Sequence, residues 1–125
     1  MSKMEFVRKL RETAAALEPL TDSESPSAAI WDGQQYVQQG AREGRLEPSA
    51  LAWRSMLTAI AELLEAQDSS ITARQLDYLR RTLFGGMGGL VDLWFDSRVS
   101  GDAADVVNAA LERRTGELYE SFKGL

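Results

Sequence analysis

The sequence predicts an all-α fold: a single-domain bundle of five or six helices, with a glycine-rich turn before a short helix. Apolar residues recur at helical spacing through most of the chain. These stretches are bounded by Ser, Thr, Pro and Gly residues that start or stop helices. The 125 residues (1–125) correspond by length to one domain, which is large enough to bury a core without disulfides or metals.

The composition excludes several kinds of chemistry. The sequence contains no cysteine and no histidine, so disulfides, thiolate zinc sites and Ser-His-Asp or Cys-His catalytic groups are impossible within it. The net charge of −5 argues against nucleic acid as the main partner, because such binding depends on basic residues that neutralise phosphates. We also see no signal peptide and no apolar run long enough to span a membrane, which predicts a cytoplasmic protein.

The first helix is expected over residues 2 to 18. Ser2 and Glu5 have the spacing of a capping box, and Pro19 ends the helix. One stripe at helical spacing is formed by Phe6, Val7, Leu10, Ala14 and Leu17.

Two prolines mark the starts of the next two helices. Pro26, with Ser25 as the cap, begins a helix that runs to about Glu43 and has few apolar residues. Pro48 lies in the first turn of a helix over residues 47 to 67. We expect this third helix to be the central core helix, since it has the clearest stripe: Leu51, Trp53, Met56, Leu57, Ile60, Leu63 and Leu64.

The second half of the chain continues the helical pattern. Thr72 and Gln75 repeat the capping-box spacing and begin a fourth helix that ends at Phe84. Residues 90 to 95 are predicted to form a short helix, because no other stretch offers a strand for them to pair with. A last helix, capped by Ser100 or Asp102, runs to about residue 123.

A glycine cluster separates the fourth helix from the short one. Its structural turn consists of Gly85, Gly86, Gly88 and Gly89. Three interpretations are open: a tight turn for close helix packing, an anion site at a helix N-terminus, and a loop that touches a partner protein. The spacing matches neither the P-loop nor the dinucleotide-binding fingerprint, so it favours packing.

Acidic and aromatic residues supply the other candidates. Asp92 is interpreted as a cap of the short helix or as a charge that stabilises it near its N-terminus, with a buried anchor of the turn or a partner contact as the alternatives. Carboxylate pairs at spacings of three or four favour solvated helix faces over a metal site, and they comprise Glu62/Glu65, Asp92/Asp96 and Asp102/Asp105. Core packing is the simplest role for Trp31, Trp53 and Trp94, but an exposed one would suit a protein-binding patch.

From residue 84 to residue 93 the sequence resembles a family of small bacterial domains with a motif close to F-G-G-M-G-S-hydrophobic-N-D-L. Gly89 stands where serine is usual in that family, and Val91 where asparagine is usual, so no polar role carries over to these two positions. Such domains are often all-helical proteins that accompany bacterial toxins of contact-dependent and type VI systems, so the resemblance implies an immunity-type role. The matching residues are Phe84, Gly85, Gly86, Met87, Gly88, Leu90, Asp92 and Leu93.

Three hypotheses of function follow. The first is an immunity protein, not an enzyme and without cofactor or metal, that binds a cognate toxin and occludes its active site. The second is a structural or regulatory homo-oligomer, such as a homodimer, without enzymatic activity. The third and weakest is an enzyme or small-ligand domain that uses the glycine turn with Arg80 or Arg81 on an anion. The contacts expected for the first hypothesis are Trp31, Tyr36, Asp92, Trp94 and Asp96.

Overall fold

The computed structural model describes residues 2–20, 48–85, 89–95 and 102–125, and every regular element in these ranges is helical. The all-α prediction is therefore confirmed for the described residues, whereas the count of five or six helices is not. The predicted helix between residues 26 and 43 lies outside the described residues, as do Gly86 and Gly88 of the predicted turn. The described α-helices are α1 (Ser2–Ala16), α2 (Pro48–Ala66), α3 (Ala73–Leu79) and α4 (Asp102–Lys123).

Helix α1 is the central helix of the described bundle, and it packs against both α2 and α4. Its predicted stripe is confirmed, because all five residues of the stripe are buried: Phe6, Val7, Leu10, Ala14 and Leu17. Among the described helices, the predicted third helix, α2, is therefore not the central one. In α2, Leu57 and Leu64 are buried, but Met56 and Leu63 of the same predicted stripe are exposed. Periodicity places residues on faces of a helix but does not say which face meets a neighbour.

The end of α1 tightens into a 3-10 turn at Glu18–Leu20. The proline at position 19 cannot donate the hydrogen bond that would continue an α-helix. The N–H of Leu20 instead donates to the carbonyl of Leu17 at 3.0 Å. Both leucine side chains are buried, so this turn closes one end of the core.

Aromatic rings fill one end of the contact between α1 and α4. Phe122 of α4 lies between two other rings, with centroid distances of 6.0 Å to Phe6 and 5.1 Å to Phe84. Tyr119 approaches Phe84 edge-on at 5.1 Å. Tilted and edge-on aromatic pairs of this kind add stabilisation beyond the apolar area that they bury.

A ring of ion pairs closes the polar side of the same contact. The Oε1 atom of Glu12 lies 3.6 Å from Lys9 Nζ and 3.3 Å from Arg114 Nη1. Glu117 completes the ring, because its Oε1 atom lies 3.5 Å from Lys9 Nζ and 3.1 Å from Arg114 Nη1. The hydrogen bond from the Arg114 guanidinium holds the pKa of the Glu117 carboxyl below its ordinary value of 4.5. Because these side chains are partly exposed, we expect the ring to orient α1 and α4 more than to stabilise them.

Polar contacts join α1 to α2 and to the loop that follows α2. Arg11 and Glu65 form an ion pair at 2.7 Å. Lys3 donates from its Nζ to the carbonyl of Gln67, just after the last residue of α2, and to the carbonyl of Ser69 at 3.2 Å. A cation is favourable at a helix C-terminus, since the last carbonyls lack intrahelical partners.

The start of α3 confirms the predicted capping box. The N–H of Gln75 donates to the Thr72 hydroxyl at 3.1 Å, and the N–H of Thr72 donates to the Gln75 side chain at 3.0 Å. The helix does not remain α-helical to residue 84 as predicted. It widens into a π-helical segment at Arg80–Phe84. This segment buries Leu83 and directs the ring of Phe84 towards α4.

Candidate functional site

The site is built on a short segment, residues 89–95, that follows the glycine cluster. It begins with a 3-10 turn at Leu90–Asp92, in which the N–H of Asp92 donates to the carbonyl of Gly89 at 3.1 Å. Leu90 is buried and holds the turn against the core, while Val91 and Asp92 are exposed. The predicted helix over 90 to 95 is therefore wrong beyond residue 92, because residues 93–95 have no regular structure.

Trp94 and Phe95 point to opposite sides of this segment. Phe95 is 2% exposed and belongs to the core. Trp94 is 68% exposed, the highest exposure of any large hydrophobic side chain among the described residues.

One side chain of α4 fixes the backbone beneath Trp94. The N–H of Phe95 donates to Asn108 Oδ1 at 3.0 Å, and Asn108 Nδ2 donates to the carbonyl of Phe95 at 2.8 Å. This pair of hydrogen bonds satisfies both backbone groups of Phe95, which is buried. The exposed tryptophan therefore projects from a backbone that is tied to a long helix.

The glycines at either end of the cluster allow close backbone contact. A Cβ on Gly89 would lie 2.7 Å from the carbonyl oxygen of Gly85 and 3.2 Å from that of Leu83. A Cβ on Gly85 would lie 2.9 Å from the carbonyl oxygen of Arg81. The closest distance at each glycine is shorter than a carbon and an oxygen tolerate, so residue 89 can lie against the end of the preceding helix only without a side chain. This contact favours the packing interpretation of these two glycines.

Asp92 lies in the first turn of this 3-10 helix, where a negative charge is favourable, but it does not cap the turn by a hydrogen bond. The N-cap position of the 3-10 turn is Gly89, which has no side chain, and no side-chain hydrogen bond caps the turn. Burial of Asp92 as an anchor is also excluded, because the residue is exposed. A charge near the start of the turn and a contact with a partner are the two interpretations that its exposed position leaves.

Three of the other predicted partner contacts lie outside the described residues: Trp31, Tyr36 and Asp96. Asp92 and Trp94 are thus the two predicted partner contacts that lie within the described residues, and both are exposed, two residues apart in the chain. Trp53, in contrast, is partly buried and packs against the core as expected.

The arginines proposed for an anion site are engaged elsewhere. Arg80 forms an ion pair with Asp77, and Arg81 Nη2 lies 2.9 Å from the other carboxylate oxygen of Asp77. Within the described parts of the chain, no three acidic side chains come together as a metal site would require. Likewise, none of the described helices has the length and apolar character needed to cross a membrane.

Sequence reasoning missed two features. Nothing in the local pattern distinguishes Asn108 from other polar residues in α4, because its partner lies 13 residues away in the chain. The second feature is a row of exposed apolar residues on α2, at Ala52, Met56, Ala59, Leu63 and Ala66. Its spacing of four and three residues is visible in the sequence, but its alanines do not stand out in a helix that is apolar on several sides.

Comparison of the chain with known protein families, curated proteins and solved structures finds no match. The geometry of residues 89–95 is therefore the main basis for a functional proposal.

Proposed function

We propose that this protein is an immunity protein, which binds a cognate interbacterial toxin of a type VI or contact-dependent system and neutralises it by occluding its active site. The observation that carries the proposal is the 68% exposure of Trp94 on a backbone held by Asn108. Tryptophan is among the residues that contribute most to binding when they enter a partner's pocket. Because the backbone of the segment is already ordered, binding costs less conformational entropy there.

Charge supports the same surface. Asp92 is exposed two residues before Trp94, and the chain as a whole carries a net charge of −5. A toxin that acts on nucleotides or nucleic acid has a basic active cleft. An acidic inhibitor is steered towards such a cleft and competes with the substrate for it. The kind of partner comes from the family that residues 84 to 93 resemble, whereas the contact surface comes from the exposed positions of Asp92 and Trp94.

The test begins with the tagged full chain, captured from its own cells together with any protein that co-purifies. A captured protein counts only if it arrests growth when expressed alone in a neutral host and if co-expression of the wild-type chain restores growth. Trp94→Ala should weaken binding of that protein by about 30-fold, which corresponds to the roughly 2 kcal/mol of an interface hot spot. The variant should also fail to protect the host at matched expression.

Val106→Ala is the matched control, since Val106 is 62% exposed on α4 and also loses an apolar side chain. It should bind and protect as the wild type does. Both variants should keep the wild-type melting temperature, because neither side chain is buried. Protection that survives Trp94→Ala would refute the proposed surface, and a stoichiometric partner without toxicity would refute the proposed function.

A further inference from the structure

The exposed apolar row on α2 forms a second surface, which we call the α2 seam: Ala52, Met56, Ala59, Leu63 and Ala66. All five residues are exposed, although all five are apolar. The helix also has a separate buried row that packs in the core and includes Leu57 and Leu64. A helix that is apolar on two faces normally buries both of them.

The seam borders a groove of about 350 Å³ between α2 and α3. Met56, Leu63 and Ile60 line its α2 side, and Tyr78 and Leu79 line its α3 side. Leu63 is 58% exposed, and Tyr78 is half-exposed. Contiguous exposed apolar surface of this kind marks an interaction site.

The spacing of the seam indicates that a helix covers it. Positions 52, 56, 59, 63 and 66 follow the alternation of four and three residues that a helix presents to another helix in a coiled coil. Large and small residues also alternate along it: Met56 and Leu63 occupy one kind of position, and the three alanines occupy the other. In an antiparallel pair the two kinds of position face each other, so each large residue meets an alanine.

We propose that the occupant is a second copy of this chain, whose α2 packs antiparallel on the seam. The two-fold axis crosses α2 at the level of the peptide bond between residues 57 and 58. In this register Met56 faces the partner's Ala59, and Leu63 faces the partner's Ala52. A two-fold interface must be complementary to itself, and the alternation of large and small residues fulfils this condition along the seam. The alanines let the two helices approach closely, while the methionine and leucine side chains fill the space between them.

Charge selects this register over its neighbour. Glu62 is an exposed acidic residue one position before Leu63, at the edge of the seam. With the axis at residues 57 and 58, the two copies of Glu62 lie roughly 13 Å apart along the helices, beyond the Debye length at physiological salt. A shift by one heptad would bring them within about 3 Å along the axis, and the like charges would repel. This inference does not rest on the proposed toxin binding, because Trp94 and Asp92 are not part of the seam.

Sedimentation velocity of the full chain over a concentration series tests the association. We expect a reversible monomer–dimer equilibrium, and Leu63→Glu should abolish the dimer, because it places a charge within the seam. Val106→Glu is the matched control, since it adds the same charge at an equally exposed valine on α4 and should leave the dimer intact. Circular dichroism should show that both variants keep the wild-type helix content. A wild-type chain that stays monomeric at every concentration would overturn the proposal, whatever else meets the seam.

Disulfide trapping tests the register, and it has no background because the chain has no cysteine. An equimolar mixture of a Met56→Cys chain and an Ala59→Cys chain should form a cross-linked heterodimer on mild oxidation. In a mixture of Leu63→Cys and Ala59→Cys chains, the cross-linked heterodimer should form at least ten-fold more slowly, since these positions face each other only in the shifted register. The opposite preference, or equal formation of the heterodimer in both mixtures, would overturn the two-fold arrangement.

Discussion

Two sides of this bundle contain similar helices but differ in how much of their apolar surface is buried. Where α1 meets α4, apolar residues are buried, aromatic rings pack around Phe122, and a ring of ion pairs closes the edge. Where α2 meets α3, a groove remains, and Met56 and Leu63 are exposed. An amphipathic pattern predicts which face of a helix favours burial. Which neighbour buries that face depends on how the helices pack in the folded protein. The second side is therefore where we propose that a second copy of the chain packs.

The largest expected effect separates a buried leucine of the closed side from an exposed leucine of the open side. Leu10→Ala should lower the free energy of unfolding by about 2–5 kcal/mol, because Leu10 is fully buried and its truncation leaves a cavity. Leu63→Ala should change it by no more than about 0.5 kcal/mol, since the side chain is mostly exposed. Urea unfolding at a concentration low enough to keep the chain monomeric measures both. Equal losses would show that Leu63 is covered within one chain, and the comparison of the two sides would fail.

Alanine substitutions at two glycines should change the stability of the fold in opposite directions. Gly89→Ala should destabilise the fold by about 1–3 kcal/mol, because the added methyl group would lie 2.7 Å from a backbone oxygen that cannot move freely. Gly116→Ala should stabilise it by about 0.5–1 kcal/mol, since Gly116 lies inside α4 and no atom lies within 4 Å of the added methyl group. Thermal unfolding of the two variants beside the wild type measures the contrast. A neutral Gly89→Ala would refute the close backbone contact.

The tie between Asn108 and Phe95 should contribute less than the glycine contact. Asn108→Ala removes both hydrogen bonds and should cost about 1–2 kcal/mol, at roughly 0.5–1 kcal/mol for each bond. It should also increase the quenching of tryptophan fluorescence by acrylamide, because the segment that carries Trp94 would no longer be held. The control is Glu112→Ala, which truncates an exposed side chain in the interior of the same helix and should change neither quantity appreciably. Unchanged stability of Asn108→Ala would remove the argument that the segment is preorganised.

The smallest expected effect concerns the ion-pair ring. The Arg114 guanidinium lowers the pKa of Glu117 in the folded chain, so this pair stabilises the fold above the ordinary carboxyl pKa of 4.5, and the contribution disappears as the pH falls through the lower folded value. Melting temperatures of the wild type and of Glu117→Gln should therefore differ most at neutral pH and converge in acid. High salt should reduce the difference at neutral pH, because the pair is partly exposed. A difference that grows as the pH falls would contradict the assigned direction of the pKa shift.

The sequence by itself determined the helical class and the parts of the fold that depend on neighbours in the chain. The buried stripe of α1, the capping box at Thr72 and the end of α1 near Pro19 were all predictable, because each arises from residues within a few positions of one another. For the tryptophans, the sequence favoured core packing and left exposure as the alternative. It did not indicate which tryptophan would be exposed.

Only the tertiary structure decided which of the described helices is central and which of their apolar faces are exposed. Helix α2 has the clearest stripe, yet α1 lies between two neighbours, and part of the α2 stripe faces outward. Trp94 is exposed and Phe95 buried on a stretch of backbone that Asn108 of α4 holds in place. These outcomes depend on contacts between residues distant in the chain, and local propensity carries no information about them.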